Sequence, residues 1–387
     1  MQPESYYKKL SKHLKKLLAI PSVSPHDLGC QEYISTVLQK IGFTCQHFPK
    51  NNTNNLYAEI GNSGPLLLYA GHTDVVEPGP ISSWHSPPFT LTEHNDAWFG
   101  RGIADMKGSI AAMLVALEMT PNFPARIGLL LTSAEEGNEY LDGTPYVMAK
   151  LHEQGKRFNY CIIGEPSAEC TTGDSMRIGR RGSLNARLLV HGMQGHVAYP
   201  DLAINAAHTA LPFLQALVNF PLDNGDDFFP PSSLQITNVA TMTSASNIIP
   251  GVLEINFNIR FNPQQTSSSL KLAIENLAEQ FALKTEWRWE LSGEPFHTTA
   301  DFLINLCQNS IKKHTKNTAK LSTGGGTSDG RFIAPYGIPV VELGLPNSSI
   351  HKINEHVLIK DVVLLSAIYQ DILANFFQID HANHATV

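Results

Sequence analysis

Apolar positions near the start of the chain recur at helical spacing. Leu10, Leu14, Leu17 and Leu18 follow an i, i+4, i+7, i+8 pattern, Lys8, Lys9, Lys12, Lys15 and Lys16 occupy the opposite face, and Pro21 ends the run. This predicts an amphipathic helix over 1–20. A second is predicted over 31–41, where Tyr33, Ile34, Val37, Leu38 and Ile41 share one face and Gly42 stands at the C-cap. The period then changes. Residues 55–60 and 66–70 read as strands, the latter an unbroken apolar run of the kind that a sheet covered on both faces buries. A helix over 106–119, a strand over 127–131, a helix over 144–152 and a strand over 160–163 continue the alternation. Helices interleaved with buried-type strands predict an α/β domain whose mixed, largely parallel sheet is flanked by helices.

After Arg181 the pattern changes again. The predicted strands 184–190, 234–239, 253–261 and 285–291 alternate apolar and polar residues. In the third, Ile255, Phe257, Ile259 and Phe261 face one way and Glu254, Asn256, Asn258 and Arg260 the other. That is the mark of an antiparallel sheet with one covered face, the cover being helices near 203–220 and 268–281. Beyond Pro295 a helix, an apolar strand over 338–343 and a last helix over 361–377 return to the first style. The expected organisation is a discontinuous α/β domain, 1–181 and 295–387, with a smaller α+β domain inserted over 182–294.

Composition narrows this picture. The 387 residues are 42% hydrophobic, enough to build two cores, and 28 Lys+Arg against 35 Asp+Glu leave a net charge of −7. There is no basic field to hold nucleic acid, and no apolar run approaches the roughly 18 residues of a membrane span. The five cysteines are odd in number, scattered and without a C-x-x-C pair, which argues against a disulfide frame or a thiolate metal site. The first helix lacks the apolar stretch of a secretory signal. A soluble, cytoplasmic chain is expected, with a polar tail fraying from Asp380.

The chemistry lies where strands end. Gly71-His72-Thr73-Asp74, Ser133-Ala134-Glu135-Glu136-Gly137 and Gly164-Glu165-Pro166 each follow an apolar strand, His351 follows a fourth, and Asp105 stands at the mouth of a predicted helix. Taken singly, these are turns and solvated carboxylates. Together they supply two histidines and several carboxylates to the crevice beyond the strand ends, an N/O donor set suited to zinc, cobalt or manganese. Two cations roughly 3.5–4 Å apart need a shared carboxylate, because an imidazole nitrogen cannot bridge. His72, Asp105 and Glu165 would hold one, and Asp105, Glu136 and His351 the other, with two Zn2+ per subunit the expected complement and Co2+ a substitute. Asp74, two residues from His72, is then expected to fix the imidazole tautomer, and Glu135 to act as general base.

These clusters, with GRGIADMKG, RRGS, QGHVAYP, NIIPG and TGGGTSDGRF, resemble the dinuclear-zinc aminoacylase and carboxypeptidase family from about Tyr7 to Phe376. Ala134 departs from that pattern, in which an aspartate precedes the glutamate pair. The resemblance implies hydrolysis of an N-succinylated diamino acid, a small-molecule substrate with three carboxylates. Arg180, Arg181 and Arg260 could meet these with guanidinium forks, and the segment Gly324-Gly325-Gly326-Thr327-Ser328 with successive N–H groups. It further implies a homodimer formed through the inserted domain, in which His196 serves the partner subunit's site as an oxyanion donor and Asn247 points its amide at substrate. A deacetylase or another N-acyl amino acid hydrolase of the same family, and a non-catalytic binding protein on this fold, are the competing expectations.

Overall fold

The computed structural model describes residues 3–120 and 125–383. It forms two compact units, Met1–Gly179 with His297–Ser322 and Ser328–Val387, and Arg180–Phe296 with Thr323–Thr327.

The first unit is built on an eight-stranded sheet in the order Thr44–His47, Asn55–Ile60, Arg126–Thr132, Leu66–His72, Tyr160–Ile163, Val340–Glu342, Ser175–Arg177, Lys320–Ser322. The four strands from Arg126–Thr132 to Val340–Glu342 run parallel. Antiparallel pairs join Thr44–His47 to Asn55–Ile60, Asn55–Ile60 to Arg126–Thr132, and Val340–Glu342 to Ser175–Arg177. Every residue of Leu66–His72 is buried, as its apolar run required. Helix Gly108–Met119 is apolar on all sides, and residues Gly108 to Leu117 are all buried. It packs against helices Pro3–Leu18 and Ile359–Asn383, the last running past its expected end at 377. Residues 384–387 of the tail expected to fray lie outside the described residues. No helix among the described residues is long and apolar enough to cross a membrane.

The second unit has a four-stranded antiparallel sheet in the order Ser233–Thr241, Val252–Phe261, Gly182–His191, Lys284–Gly293. Burial along Val252–Phe261 alternates residue by residue, as the sequence pattern demands, and the inward set packs under helices Ala206–Val218 and Ser267–Gln280. Its two edges differ. Lys284–Gly293 carries Lys284, Glu286, Arg288 and Glu290, the charges that keep an edge strand from pairing further, whereas Ser233–Thr241 carries none. Val239, Met242, Leu211 and Val218 are exposed on this unit.

The apolar pattern misplaces several boundaries. Helix Ala206–Val218 starts three residues late because Asn205 caps it, accepting from the amides of Ala207 and His208, after a separate turn at Pro200–Leu202. The small sheet of Thr92–His94, Ala97–Phe99 and His356–Leu358 is too short to show a period. Thr323–Thr327, which the pattern assigns to the first unit, belongs to the second. There the Gly324 carbonyl accepts from Arg180 Nη1 at 2.7 Å, and the Thr323 hydroxyl donates to the Phe228 carbonyl at 2.5 Å.

Candidate metal centre and active site

Three parallel strands that are neighbours in the sheet deliver three of the polar clusters side by side: Arg126–Thr132 leads to Glu135 and Glu136, Leu66–His72 ends on His72, and Tyr160–Ile163 leads to Glu165. The next strand, Val340–Glu342, leads into the loop of His351. Asp105 arrives from a turn. The pattern starts a helix at Met106, but regular helix begins only at Gly108. Over Ile103–Lys107 the chain is a wide, irregular turn, with φ and ψ of −128° and 95° at Asp105.

The Asp105 carboxylate lies between the two histidines. Its Oδ1 is 3.1 Å from His72 Nε2, and its Oδ2 is 3.4 Å from His351 Nε2. Beyond them, Glu165 Oε1 is 3.5 Å from His72 Nε2, and Glu136 Oε1 is 3.0 Å from His351 Nε2. Donor atoms of His72, Asp105 and Glu165 lie within 4.8 Å of one another, and so do those of Asp105, Glu136 and His351. Donor atoms of His72, Glu135 and Glu136 form a third such group, which also draws in Glu135. Glu165 Oε1 is buried without a hydrogen-bond partner, an acceptor left open toward His72 and Asp105. His351 itself adopts a left-handed φ of 59°, a conformation that side-chain-bearing residues seldom take.

Asp74 departs from its expected part. The atom that accepts from His72 Nδ1 at 2.9 Å is the main-chain carbonyl of Asp74, and its carboxylate stands 3.6 Å away. That carboxylate instead accepts the Glu135 and Glu136 amides at 3.3 and 3.0 Å. It therefore holds the turn that separates the two glutamates, while the imidazole tautomer is set by the backbone two residues on. Ala134, where the family pattern has aspartate, is buried, and its amide donates to Thr132 Oγ1 at 3.2 Å.

The charges here are crowded. Burial, reinforced by the Asp329 and Glu136 carboxylates, pushes the Glu135 carboxyl up to about 8. Burial also raises Glu165, with Asp105 adding to it, and Glu136. Burial opposes charge on His72, yet the carboxylates of Asp105, Glu165 and Asp74 raise its pKa well above the ordinary imidazole value. His351 is raised to about 10, first by Asp105 and then by Glu136. Despite burial, Asp105 is held below the usual carboxylate range by the two histidines. A nest of carboxylates that only positive charge relieves is chemically a cation site, and a glutamate titrating near neutrality beside it can take up and return a proton.

The other expected residues occupy varied surroundings. In the second unit His196 is exposed, and its Nδ1 accepts from the Ala198 amide at 3.1 Å, which leaves the proton on Nε2 as a free donor. Asn247 is exposed, with its carbonyl accepting from the Val197 amide. Arg180 is buried and tied to Gly324, and Gly325, at φ +100°, could not carry a Cβ without meeting Arg180 Nη1 at 2.3 Å. Gly326 has open space where a Cβ would be, and Thr327 is partly exposed. Arg260 lies on Val252–Phe261 opposite Ser183 and Ser233. Ser328, in the first unit, is buried, and its hydroxyl donates to Glu342, so that oxygen is already engaged.

Sequence reasoning overlooks Glu355, buried four residues after His351, whose carboxylate accepts the amide of Asp105 at 3.1 Å. It also overlooks Asp329, buried and accepting from Thr144 Oγ1 at 2.6 Å, and Arg331, whose guanidinium lies 4.6 Å from the Phe332 ring centroid and 5.2 Å from that of Tyr140. The signals were the charged residues within TGGGTSDGRF, read only as part of a motif, and the glutamate four positions after His351, which no pattern marked.

Residues 68–375 match the model of peptidase family M20/M25/M40. The chain is 47% identical over 360 residues to a succinyl-diaminopimelate desuccinylase of Legionella pneumophila (strain Lens), covering 92% of this chain and 96% of that one. Among solved structures it resembles a tripeptidase of Staphylococcus aureus, with a TM-score of 0.77, 20% identity and coverage of 96% and 99%. It also resembles a dinuclear metal-binding peptidase of the M20 family from Bacillus subtilis, with a TM-score of 0.70, 14% identity and coverage of 97% and 99%.

Proposed function

The chain belongs to peptidase family M20/M25/M40, and from that premise we propose that it hydrolyses N-succinyl-LL-2,6-diaminopimelate to succinate and LL-2,6-diaminopimelate, a step of diaminopimelate and lysine biosynthesis, in the cytoplasm. The substrate rests on the likeness to the Legionella desuccinylase over nearly the whole of both chains. The chemistry rests on one observation, the Asp105 carboxylate with one oxygen turned to each histidine.

In this reading His72, Asp105 and Glu165 hold one Zn2+ and Asp105, Glu136 and His351 the other, with Co2+ able to replace either. Bound there, the two cations would supply Lewis acidity toward the amide carbonyl and lower the pKa of water. Glu135 takes the proton of the attacking water and gives it to the leaving amine. Asp74 keeps Glu135 and Glu136 turned apart through their amides. Arg180, Arg260, Asn247 and the backbone of Gly326, Thr327 and Ser328 are assigned to the substrate carboxylates, and His196 to the developing oxyanion.

We read the protein as a homodimer. The uncharged edge strand Ser233–Thr241, with Val239 and Met242 exposed beside it, is the edge left open to a second copy, and His196 is then assigned to the partner's site.

The deciding experiment is a substrate panel: N-succinyl-LL-diaminopimelate, N-acetylornithine and simple acyl amino acids, each with and without chelator. We expect turnover of the first, loss of it on dialysis against chelator and recovery with zinc or cobalt. Arg180→Ala or Arg260→Ala should raise KM at least tenfold for the succinylated substrate and much less for a small acyl amino acid. Preference for acetylornithine would move the chain to the deacetylase reading, and full activity of the metal-free protein would sink the metal assignment.

A further inference from the structure

We propose that Glu355 is the positioning residue of the Asp105 turn, holding the shared carboxylate at the height where it reaches both histidines. The inference rests on the two-cation reading above.

The argument begins with the main-chain donors. Between Gly100 and Asp105 the chain is neither helix nor strand, so its amides lack the partners that regular structure supplies. Each can be traced. The Gly100 amide donates to the carbonyl of Glu355 at 3.0 Å, that of Arg101 to Pro88 at 2.7 Å, and that of Ile103 to Gly100 at 3.2 Å. The remaining three converge on the Glu355 side chain: Gly102 on Oε2 at 2.8 Å, Ala104 and Asp105 on Oε1 at 2.8 and 3.1 Å. Arg101 Nη1 completes the set on Oε2 at 2.8 Å. Four donors saturate the carboxylate, and the ion pair it forms with Arg101 is almost wholly buried, the two side chains being 2% and 1% exposed.

The Lys107 amide closes the turn on the Gly102 carbonyl at 2.7 Å, but that bond leaves the amides of Gly102, Ala104 and Asp105 to Glu355. Gly102 takes a φ of +82°, and a Cβ there would lie 2.2 Å from Val75 Cγ1, so the backbone is pressed close against its neighbour. Among the described residues, Glu355 is the side chain that accepts from the amides of Gly102, Ala104 and Asp105. Buried amides without an acceptor are costly, and a turn that lost Glu355 would rearrange to find new ones.

The placement of Glu355 gives that support a functional sense. It follows His351 by four residues in one loop, closed by Ser349, whose hydroxyl donates to the His356 carbonyl at 2.6 Å and accepts from the His356 amide at 3.1 Å. One segment thus carries both the His351 ring facing Asp105 Oδ2 and the carboxylate that anchors the Asp105 backbone. His72 and Glu165 stand on strand ends and owe nothing to this loop. Asp105 belongs to both triads, so loss of Glu355 should weaken each a little through Asp105, and should weaken the Asp105, Glu136 and His351 triad much more, because His351 stands on the same loop as Glu355. A merely structural residue would weaken both alike.

Stepwise titration of the metal-free protein with cobalt, followed by visible absorption and calorimetry, reads the two triads separately. Glu355→Gln keeps the side chain's shape but sets an NH2 group against donors. We expect its first binding step to stay within about threefold of wild type and its second to weaken tenfold or more. Glu355→Asp, which keeps the charge opposite Arg101 on a shorter arm, should fall between the two, and it takes over the test if Glu355→Gln does not fold. Two steps weakened equally, or a second step unchanged in a folded variant, would overturn the proposal. A wild-type chain that takes up no cobalt would overturn the metal reading and this inference with it, whereas two wild-type steps and an unaltered variant overturn only the inference.

Discussion

At the scale of single residues the site turns on two neighbouring glutamates with different surroundings. Glu136 Oε1 lies 3.0 Å from His351 Nε2, whereas burial, with the Asp329 and Glu136 carboxylates adding to it and His72 and Arg331 opposing it, brings the Glu135 carboxyl to about 8. Glu135→Gln should leave two cations bound per chain, measured by metal analysis after dialysis, and lower kcat by at least about 100-fold. Glu136→Gln should instead lose metal. If metal content fell in the Glu135 variant while turnover survived, the two roles would be exchanged. Asp74 teaches a related lesson: its carboxylate faces the amides of the glutamate turn because its own carbonyl, two residues from His72, already meets the imidazole.

At the scale of elements, helix Gly108–Met119 is the post on which the first unit is assembled, and it ends on a charge of the wrong sign. Glu118 sits in its last turn, where the helix dipole disfavours a carboxylate. Helix Pro3–Leu18 compensates, with Lys9 Nζ at 2.6 Å and His13 Nε2 at 3.3 Å from that carboxylate. These partners, His13 first, lower the Glu118 pKa from 4.5 to about 2. A carboxyl depressed in the folded state stabilises it above the unfolded pKa, and the contribution fades as pH falls from about 4.5 toward 2. Glu118→Gln should therefore cost on the order of 2 kcal/mol at pH 7 and much less at pH 3, read from urea unfolding at both values. Equal losses at the two pH values would mean that packing, not charge, is what the substitution removes.

At the scale of the whole molecule the homodimer we propose rests on the contrast between the two edges of the second sheet. Lys284, Glu286, Arg288 and Glu290 guard one edge, and Ser233–Thr241 offers a row of main-chain groups without a charge. Sedimentation should show a dimer for the wild type and a monomer for Val239→Lys, which places a charge on the open edge. Glu286→Ala on the guarded edge should leave the dimer intact. A wild-type monomer, or a Val239→Lys variant that still pairs, would remove the edge from the account.

Much of this protein is written locally. The 3.6-residue and two-residue periods identify both units, because burial of one face is a property of neighbouring residues, and the donor types at strand ends announce a cation site before any strand is paired. What the periods could not reveal is anything settled by groups distant in the chain. The order in which Arg126–Thr132, Leu66–His72, Tyr160–Ile163 and Val340–Glu342 lie side by side is what brings Glu136, His72, Glu165 and His351 together. The short sheet of Thr92–His94, Ala97–Phe99 and His356–Leu358 exists only because its strands meet, and Thr323–Thr327 joins the second unit through bonds to Arg180 and Phe228. Glu355 is the clearest instance. It stands 250 positions from Asp105, in a segment with no period to read, and its part follows from three irregular amides that needed an acceptor once the fold had buried them.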